Sequence, residues 1–224
     1  MNQDSLLSRR RLLRGGLAFG AAMYCLPGAF AEELSQTPRL TEGPFYPDKL
    51  PLDKDNDLII VGDSTTPAVG QITHLTGRIM DRDGKPVKDA QIEIWQVDAH
   101  GIYLNTRDSG HHPYDKNFQG YGTFVTGSKG EYRFRTIKPV PYSGRTSHIH
   151  FRVNQRGREV LTTQVFINGF EQNFRDGVLA GIRDPLDREL VLVDFVPVKG
   201  SKINELSARF DVVLGRTPSD RRQD

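Results

Sequence analysis

The chain has 224 residues, with 30 Lys and Arg against 28 Asp and Glu, and is long enough for one ordinary core-bearing domain. Four of the basic residues and one of the acidic ones fall in the first 31 positions, so residues 32–224 carry 26 basic and 27 acidic side chains, a formal charge of −1. That balance gives no support to nucleic-acid or polyanion binding, and with Cys25 the only cysteine the rest of the chain can form neither a disulfide nor a thiolate metal site.

Residues 1–31 read as an export signal. Arg9, Arg10, Arg11 and Arg14 precede an apolar, Gly/Ala-rich stretch over 15–26, and Ala29-Phe30-Ala31 supplies small residues at the spacing of a cleavage site. The adjacent arginines resemble a twin-arginine signal, a route taken by proteins exported already folded. The apolar stretch is shorter than the roughly 20 residues needed to cross a bilayer, so the reading is a cleaved signal, a periplasmic or secreted mature chain and no membrane anchor. Residues 32–40 form a short polar lead-in, 41–214 the folded domain, and 215–224 a polar tail.

Residues 41–47 are turn-forming but carry Phe45 and Tyr46, which predicts an ordered loop packed on the domain. Residues 50–70 alternate acidic, Gly and Pro positions with short apolar pieces such as 58–61, favouring loops and short strands. Strands are predicted over 73–80, 90–97, 121–126, 131–137, 147–153, 160–167, 190–196 and 209–214, most of them bounded by Gly/Asp/Pro turns. Residues 182–189 are a short helix or a loop, with Pro185 limiting any helix. Together these elements predict an all-β fold, a β-sandwich of mostly antiparallel strands with long active-site loops.

The six histidines stand at 74, 100, 111, 112, 148 and 150. His148 and His150 are two apart in a predicted strand and face the same way, while Ile149, Phe151 and Val153 face the core. A shared metal and a hydrogen-bonded polar patch both fit that pair. Tyr142 follows the stiff run Lys138-Pro139-Val140-Pro141 and can approach the imidazoles from a loop. Tyr103 follows the 90–97 strand after a glycine-containing turn. Two tyrosines and two histidines would make a hard, anionic donor set without carboxylate, which suits iron(III); a core or rim position is the other reading of each tyrosine. His111 and His112 lie in a Gly/Pro/Asp-rich loop and read as rim or oligomer-contact residues.

Residues 95–103, 134–142 and 145–151 resemble, in order and at similar spacing, three segments of the intradiol ring-cleavage dioxygenases: those bearing the first tyrosine, the second tyrosine, and an arginine with paired histidines. Residues 161–166 look like that family's glutamine-bearing strand, and 41–47 with Asp57-Leu58 match its N-terminal signature. The resemblance covers about residues 40–197, and is nearest to the protocatechuate 3,4-dioxygenase beta subunit. Val140 stands where the family usually has glycine and Ser128 where a hairpin aspartate is usual.

The resemblance implies that Tyr103, Tyr142, His148 and His150 bind Fe(III). Tyr142 matches the tyrosine that leaves the metal and takes up a substrate proton, while Tyr103 stays. It implies an electrostatic role for Arg145 beside the ring, a pocket role for Gln164, and pocket or supporting roles for Tyr46 and Trp95; an ion pair for Arg145, an inter-strand hydrogen bond for Gln164 and core packing for Trp95 are the other readings. The activity implied is insertion of both atoms of O2 into a catechol-type diol, giving a muconate-type diacid. With about ten residues between the cleavage site and Thr41, the helical N-terminal dimerisation region of catechol-specific members is not expected. A homo-oligomer or a related partner subunit remains open. The reading from another class is a secreted β-sandwich binding or carrier module whose histidines are incidental.

Overall fold

The computed structural model describes residues 34–108, 110 and 112–215; residues 1–31, read as an export signal, the tail beyond Gly215 and His111 lie outside them. Among the described residues ten strands form two five-stranded sheets. In chain order they are β1 (Ile72–Met80), β2 (Ala90–Trp95), β3 (Tyr121–Val125), β4 (Glu131–Ile137), β5 (His148–Gln155), β6 (Arg158–Ile167), β7 (Leu192–Val193), β8 (Phe195–Pro197), β9 (Leu206–Arg209) and β10 (Val212–Val213).

The first sheet is built on β1. One edge pairs antiparallel with β4; the other is met in succession by β9 and β10, both parallel, with β8 beyond β9. The second sheet runs β3-β2-β5-β6-β7, antiparallel except for the short parallel β6–β7 edge. The all-β sandwich read from the sequence is therefore the observed architecture, with parallel pairing confined to β7, β9 and β10.

The core lies between the sheets. Leu75, Ile79, Phe134 and Phe210 from one side and Ile92, Ile94, Ile149, Phe151, Val153 and Val165 from the other are buried in one cluster. Phe151 bridges the layers, its ring 5.2 Å from both Tyr132 and Phe210. Each such side chain contributes about 1.5–3 kcal/mol by leaving water, which holds the second sheet rigid while its other face carries chemistry.

Several boundaries differ from expectation for local reasons. The predicted strand over 190–196 is two strands, because at Asp194 the chain leaves β6 and crosses to pair with β9 in the other sheet. The predicted 209–214 strand likewise divides into β9 and β10. Residues 58–61 form no strand; their backbone is held in the core by loop hydrogen bonds, with one isolated bridge from Asp57 to Arg135. Residues 182–189 contain a helix, Pro185–Glu189, with Pro185 in its first turn and Asp184 capping it. A 3-10 turn at Glu171–Arg175 and a one-turn helix at Gly177–Ala180 were not anticipated.

Candidate metal centre

Strand register lays out the site. Trp95 of β2, His150 of β5 and Gln164 of β6 are directly opposed in neighbouring strands, so their side chains emerge on one face of the second sheet. His148 lies two residues before His150 on that same face.

The two tyrosines arrive on loops. After β2 the chain turns around Asp98, whose buried carboxylate accepts the backbone N–H groups of His100 and Ile102 at 2.9 and 3.0 Å. Gly101 in that turn has φ of 80°, and a Cβ there would lie 3.4 Å from both the Pro141 carbonyl oxygen and Tyr142 Cβ. The bare backbone lets the Tyr103 turn close on the Tyr142 loop. Tyr142 and Arg145 flank a tight turn at Ser143-Gly144, both at positive φ (42° and 76°), closed by Arg145 N–H donating to the Tyr142 carbonyl at 2.7 Å.

Three donor atoms converge where these elements meet. Tyr103 Oη lies 2.9 Å from His150 Nε2 and 3.3 Å from His148 Nε2, and the two imidazole nitrogens are 3.2 Å apart. His148 Nδ1 is 2.6 Å from the Thr146 carbonyl oxygen. A carbonyl only accepts, so Nδ1 carries the proton and the lone pair of Nε2 faces the other donors. The Tyr142 ring closes a further side, 5.0 Å from the Tyr103 ring and 5.6 Å from that of His148. Phe45, from the 41–47 loop, stacks on Tyr103 at 5.3 Å.

The electrostatics suit a cation. Burial, then the nearby Arg145 charge, lowers His148 to about 4, and burial holds His150 well below its ordinary range, so both imidazoles are neutral donors. Burial, then the proximity of Tyr142, drives Tyr103 well above 10, and burial raises Tyr142 too. Without a cation both phenols keep their protons. A trivalent cation held there would reverse that balance and draw anionic oxygen donors from them, so the residues of this N2O2 set fit iron(III). Among the described residues no group of three or more His, Cys, Asp or Glu gathers for a metal.

Beside the donors, Arg145 donates from Nε to Asp176 Oδ2 and from Nη2 to Gln164 Oε1, each at 2.7 Å, and Gln164 Nε2 donates to the Thr41 carbonyl at 2.9 Å. A cleft of about 300 Å³, lined by Tyr142, Arg145, Gln172 and Arg175 among others, opens over this corner. A larger cleft, about 680 Å³, lies where β1, β3 and β4 meet, around Gly77, Phe124, Tyr132 and Arg209, and touches none of these groups; chemistry, not size, identifies the site.

The residues read from the sequence as ligands or catalytic groups lie near one another: Tyr103, His148 and His150 within hydrogen-bond distance, the Tyr142 ring against Tyr103 and His148, and Arg145 bonded to Gln164. Tyr46 instead meets Trp95 edge-on at 5.0 Å and donates to the Glu93 carboxylate at 2.9 Å. His112 is exposed and lies 5.5 Å from the His100 ring. Sequence reasoning missed Phe45, Thr146 and Asp176. Phe45 had a signal, an aromatic in a turn-rich loop; Asp176 had none, being one acid in an irregular stretch.

The family model described as Dioxygenase matches residues 41–216. The chain is 33% identical over 178 residues to the protocatechuate 3,4-dioxygenase beta chain of Burkholderia cepacia, covering 75% of each. It is 32% identical over 162 residues to the hydroxyquinol 1,2-dioxygenase of Nocardioides simplex, covering 64% of this chain and 51% of that one. The chain therefore spans about half the length of that relative. Among solved structures, the dioxygenase domain of a dioxygenase–carbohydrate-binding fusion from Streptomyces sp. SirexAA-E aligns with a TM-score of 0.59 at 29% identity, over 82% of this chain and 100% of that one. Catechol 1,2-dioxygenase from Acinetobacter sp. ADP1 aligns with a TM-score of 0.60 at 26% identity, over 82% and 64%.

Proposed function

The chain belongs to the intradiol ring-cleavage dioxygenase family, and on that premise we propose that it is a non-haem iron(III) enzyme inserting both atoms of O2 into a catechol-type diol to give a cis,cis-muconate-type diacid. The observation that carries this reading is the convergence of Tyr103 Oη, His148 Nε2 and His150 Nε2 within 2.9–3.3 Å of one another. In this reading those three side chains and Tyr142 hold the metal. Bound iron(III) supplies Lewis acidity towards the two oxygens of the diol.

The chain's own groups supply the rest. Thr146 holds the His148 ring by its Nδ1 proton, so Nε2 stays a donor. Tyr103, 2% exposed and covered by Phe45, is the permanent phenolate. Tyr142 is only half-buried and lines the cleft, so its Oη is the group that accepts a proton from the entering diol. Arg145 cannot act as a base; its guanidinium, fixed by Asp176 and Gln164, steadies negative charge developing on the ring. Two oxygen atoms added to the diol account for both new carboxyl groups, so no external reductant is consumed.

The cleft of about 300 Å³ suits a single-ring diol. The relative's being a beta chain supports a related partner subunit, with a homo-oligomer the other arrangement. The N-terminal signal supports export to the periplasm or beyond. An inert β-sandwich carrier leaves both the fixed His148 tautomer and the converging donors without a purpose. Oxygen uptake by the iron-loaded protein against protocatechuate, catechol and hydroxyquinol tests the proposal, with 18O2 labelling of the product. One O2 consumed per diol and two labelled oxygens in an acyclic diacid are expected; no uptake with any diol by protein carrying stoichiometric iron overturns it.

A further inference from the structure

We infer that Asp176 is a positioning residue that couples the arginine of this site to its histidine strand. The kinetic part of this inference rests on the ring-cleavage reading; the geometric part does not. Asp176 is fully buried. A buried carboxylate is tolerated only when its lone pairs are used, and here both oxygens are. Oδ1 accepts the N–H groups of Val178 and Leu179, each at 3.0 Å. Oδ2 accepts Arg145 Nε at 2.7 Å and Thr146 N–H at 2.9 Å.

The two groups on Oδ2 lead on to two different side chains of the candidate site. Arg145 continues through Nη2 to Gln164, so Nε and one Nη2 hydrogen are committed and the rest of the guanidinium is left to the cleft. Thr146 continues through its carbonyl to His148 Nδ1, and its hydroxyl donates to Asn173 Oδ1 at 2.8 Å. One carboxylate oxygen therefore sets the azimuth of the guanidinium and anchors the residue that fixes the His148 tautomer. It also offsets the Arg145 charge, which would otherwise stand unpaired beside two neutral imidazoles.

The plainer role for Asp176 is to cap the one-turn helix at Gly177–Ala180. Asn caps a helix about as well as Asp, so Asp176→Asn keeps that role and replaces the anionic acceptor facing Arg145 and Thr146 with an amide NH2. The test compares wild type, Asp176→Asn, Arg145→Gln and the double variant in three measurements: iron per chain, steady-state kinetics per iron, and 15N-histidine spectra of the metal-free protein. The His148 Nδ1–H signal is assigned by its loss in His148→Gln.

Asp176→Asn is expected to keep iron near wild type at a lower melting temperature, while kcat/KM falls by about 100-fold. The double variant should lie within about threefold of Arg145→Gln, since the two residues act as a unit. If the single Asn variant does not fold, the double variant, a neutral pair, still makes this comparison. In metal-free Asp176→Asn the His148 Nδ1–H signal should shift or broaden. Wild-type kinetics per iron, multiplicative losses in the double variant, or an unchanged His148 signal overturns the inference. A wild-type protein without turnover would instead remove the ring-cleavage reading, and the metal-free spectra would then decide the role of Asp176 alone.

Discussion

His150 lies flat against Trp95, with ring centroids 4.8 Å apart and planes within 4° of parallel. The contact follows from their direct opposition across β2 and β5. On the same sheet face Arg152 sits 5.2 Å from the Trp95 ring and 4.5 Å from that of Tyr46. The indole is a wall that fixes the imidazole plane, and its Nε1 is buried without a hydrogen-bond partner. Trp95→Phe is therefore expected to keep iron and stack, since it removes an unsatisfied donor. Trp95→Ala should destabilise by about 3–5 kcal/mol and loosen His150. Urea unfolding and iron content measure the two effects.

The two tyrosines should not behave alike. Tyr103 Oη touches both imidazole nitrogens and is buried, whereas Tyr142 is half-buried at the cleft. Tyr103→Phe is expected to lose at least about tenfold in iron affinity, as loss of a metal ligand should exceed the 10–100-fold range's lower end seen for its supporting partners. Tyr142→Phe should retain iron better and lose turnover more. Metal assays on dialysed protein, paired with kcat, separate the two.

Gly101 is the hinge between the tyrosine loops. Gly101→Ala would force an L side chain to φ of 80° against Pro141 and Tyr142. The expected cost is upwards of about 1 kcal/mol, together with a shifted visible band as the Tyr103–Tyr142 geometry relaxes. Chemical denaturation and the absorption spectrum check both parts.

The Arg145–Asp176 pair predicts an acid limb in stability. Burial opposes ionisation of Asp176, but the Arg145 hydrogen bond and the backbone N–H groups of Leu179 and Thr146 outweigh it, leaving the carboxyl below its ordinary 3.8. With the folded pKa below the unfolded one, the contribution is complete above about pH 4 and fades as pH falls through the folded value. Urea midpoints between pH 5 and 2.5 should fall more steeply for wild type than for Asp176→Asn.

Much of this was legible in the chain. Period-two alternation in 148–153 put His148 and His150 on one face and Ile149, Phe151 and Val153 in the core, because a strand has only two faces. The tyrosines were candidates from their neighbouring turns but were read chiefly through family resemblance, since Tyr103 and Tyr142 reach the site on loops whose paths depend on Gly101 and on the Ser143-Gly144 turn. Asp176 was invisible because its partners, Arg145 and Thr146, lie 31 and 30 residues away and nothing periodic links them. The division of 190–196 into β7 and β8 was hidden for a similar reason: a crossing between sheets is decided by partners, not by the apolar pattern of the segment.

The central claim is an iron(III) centre built from Tyr103, Tyr142, His148 and His150. It is tested most directly by loading the folded protein with iron and recording its visible spectrum before and after anaerobic addition of a catechol. One iron per chain, a tyrosinate-to-iron(III) charge-transfer colour and a shift of that band on diol binding are the predicted result. A protein that stays colourless when supplied with iron, with the diol added or not, would contradict the assignment.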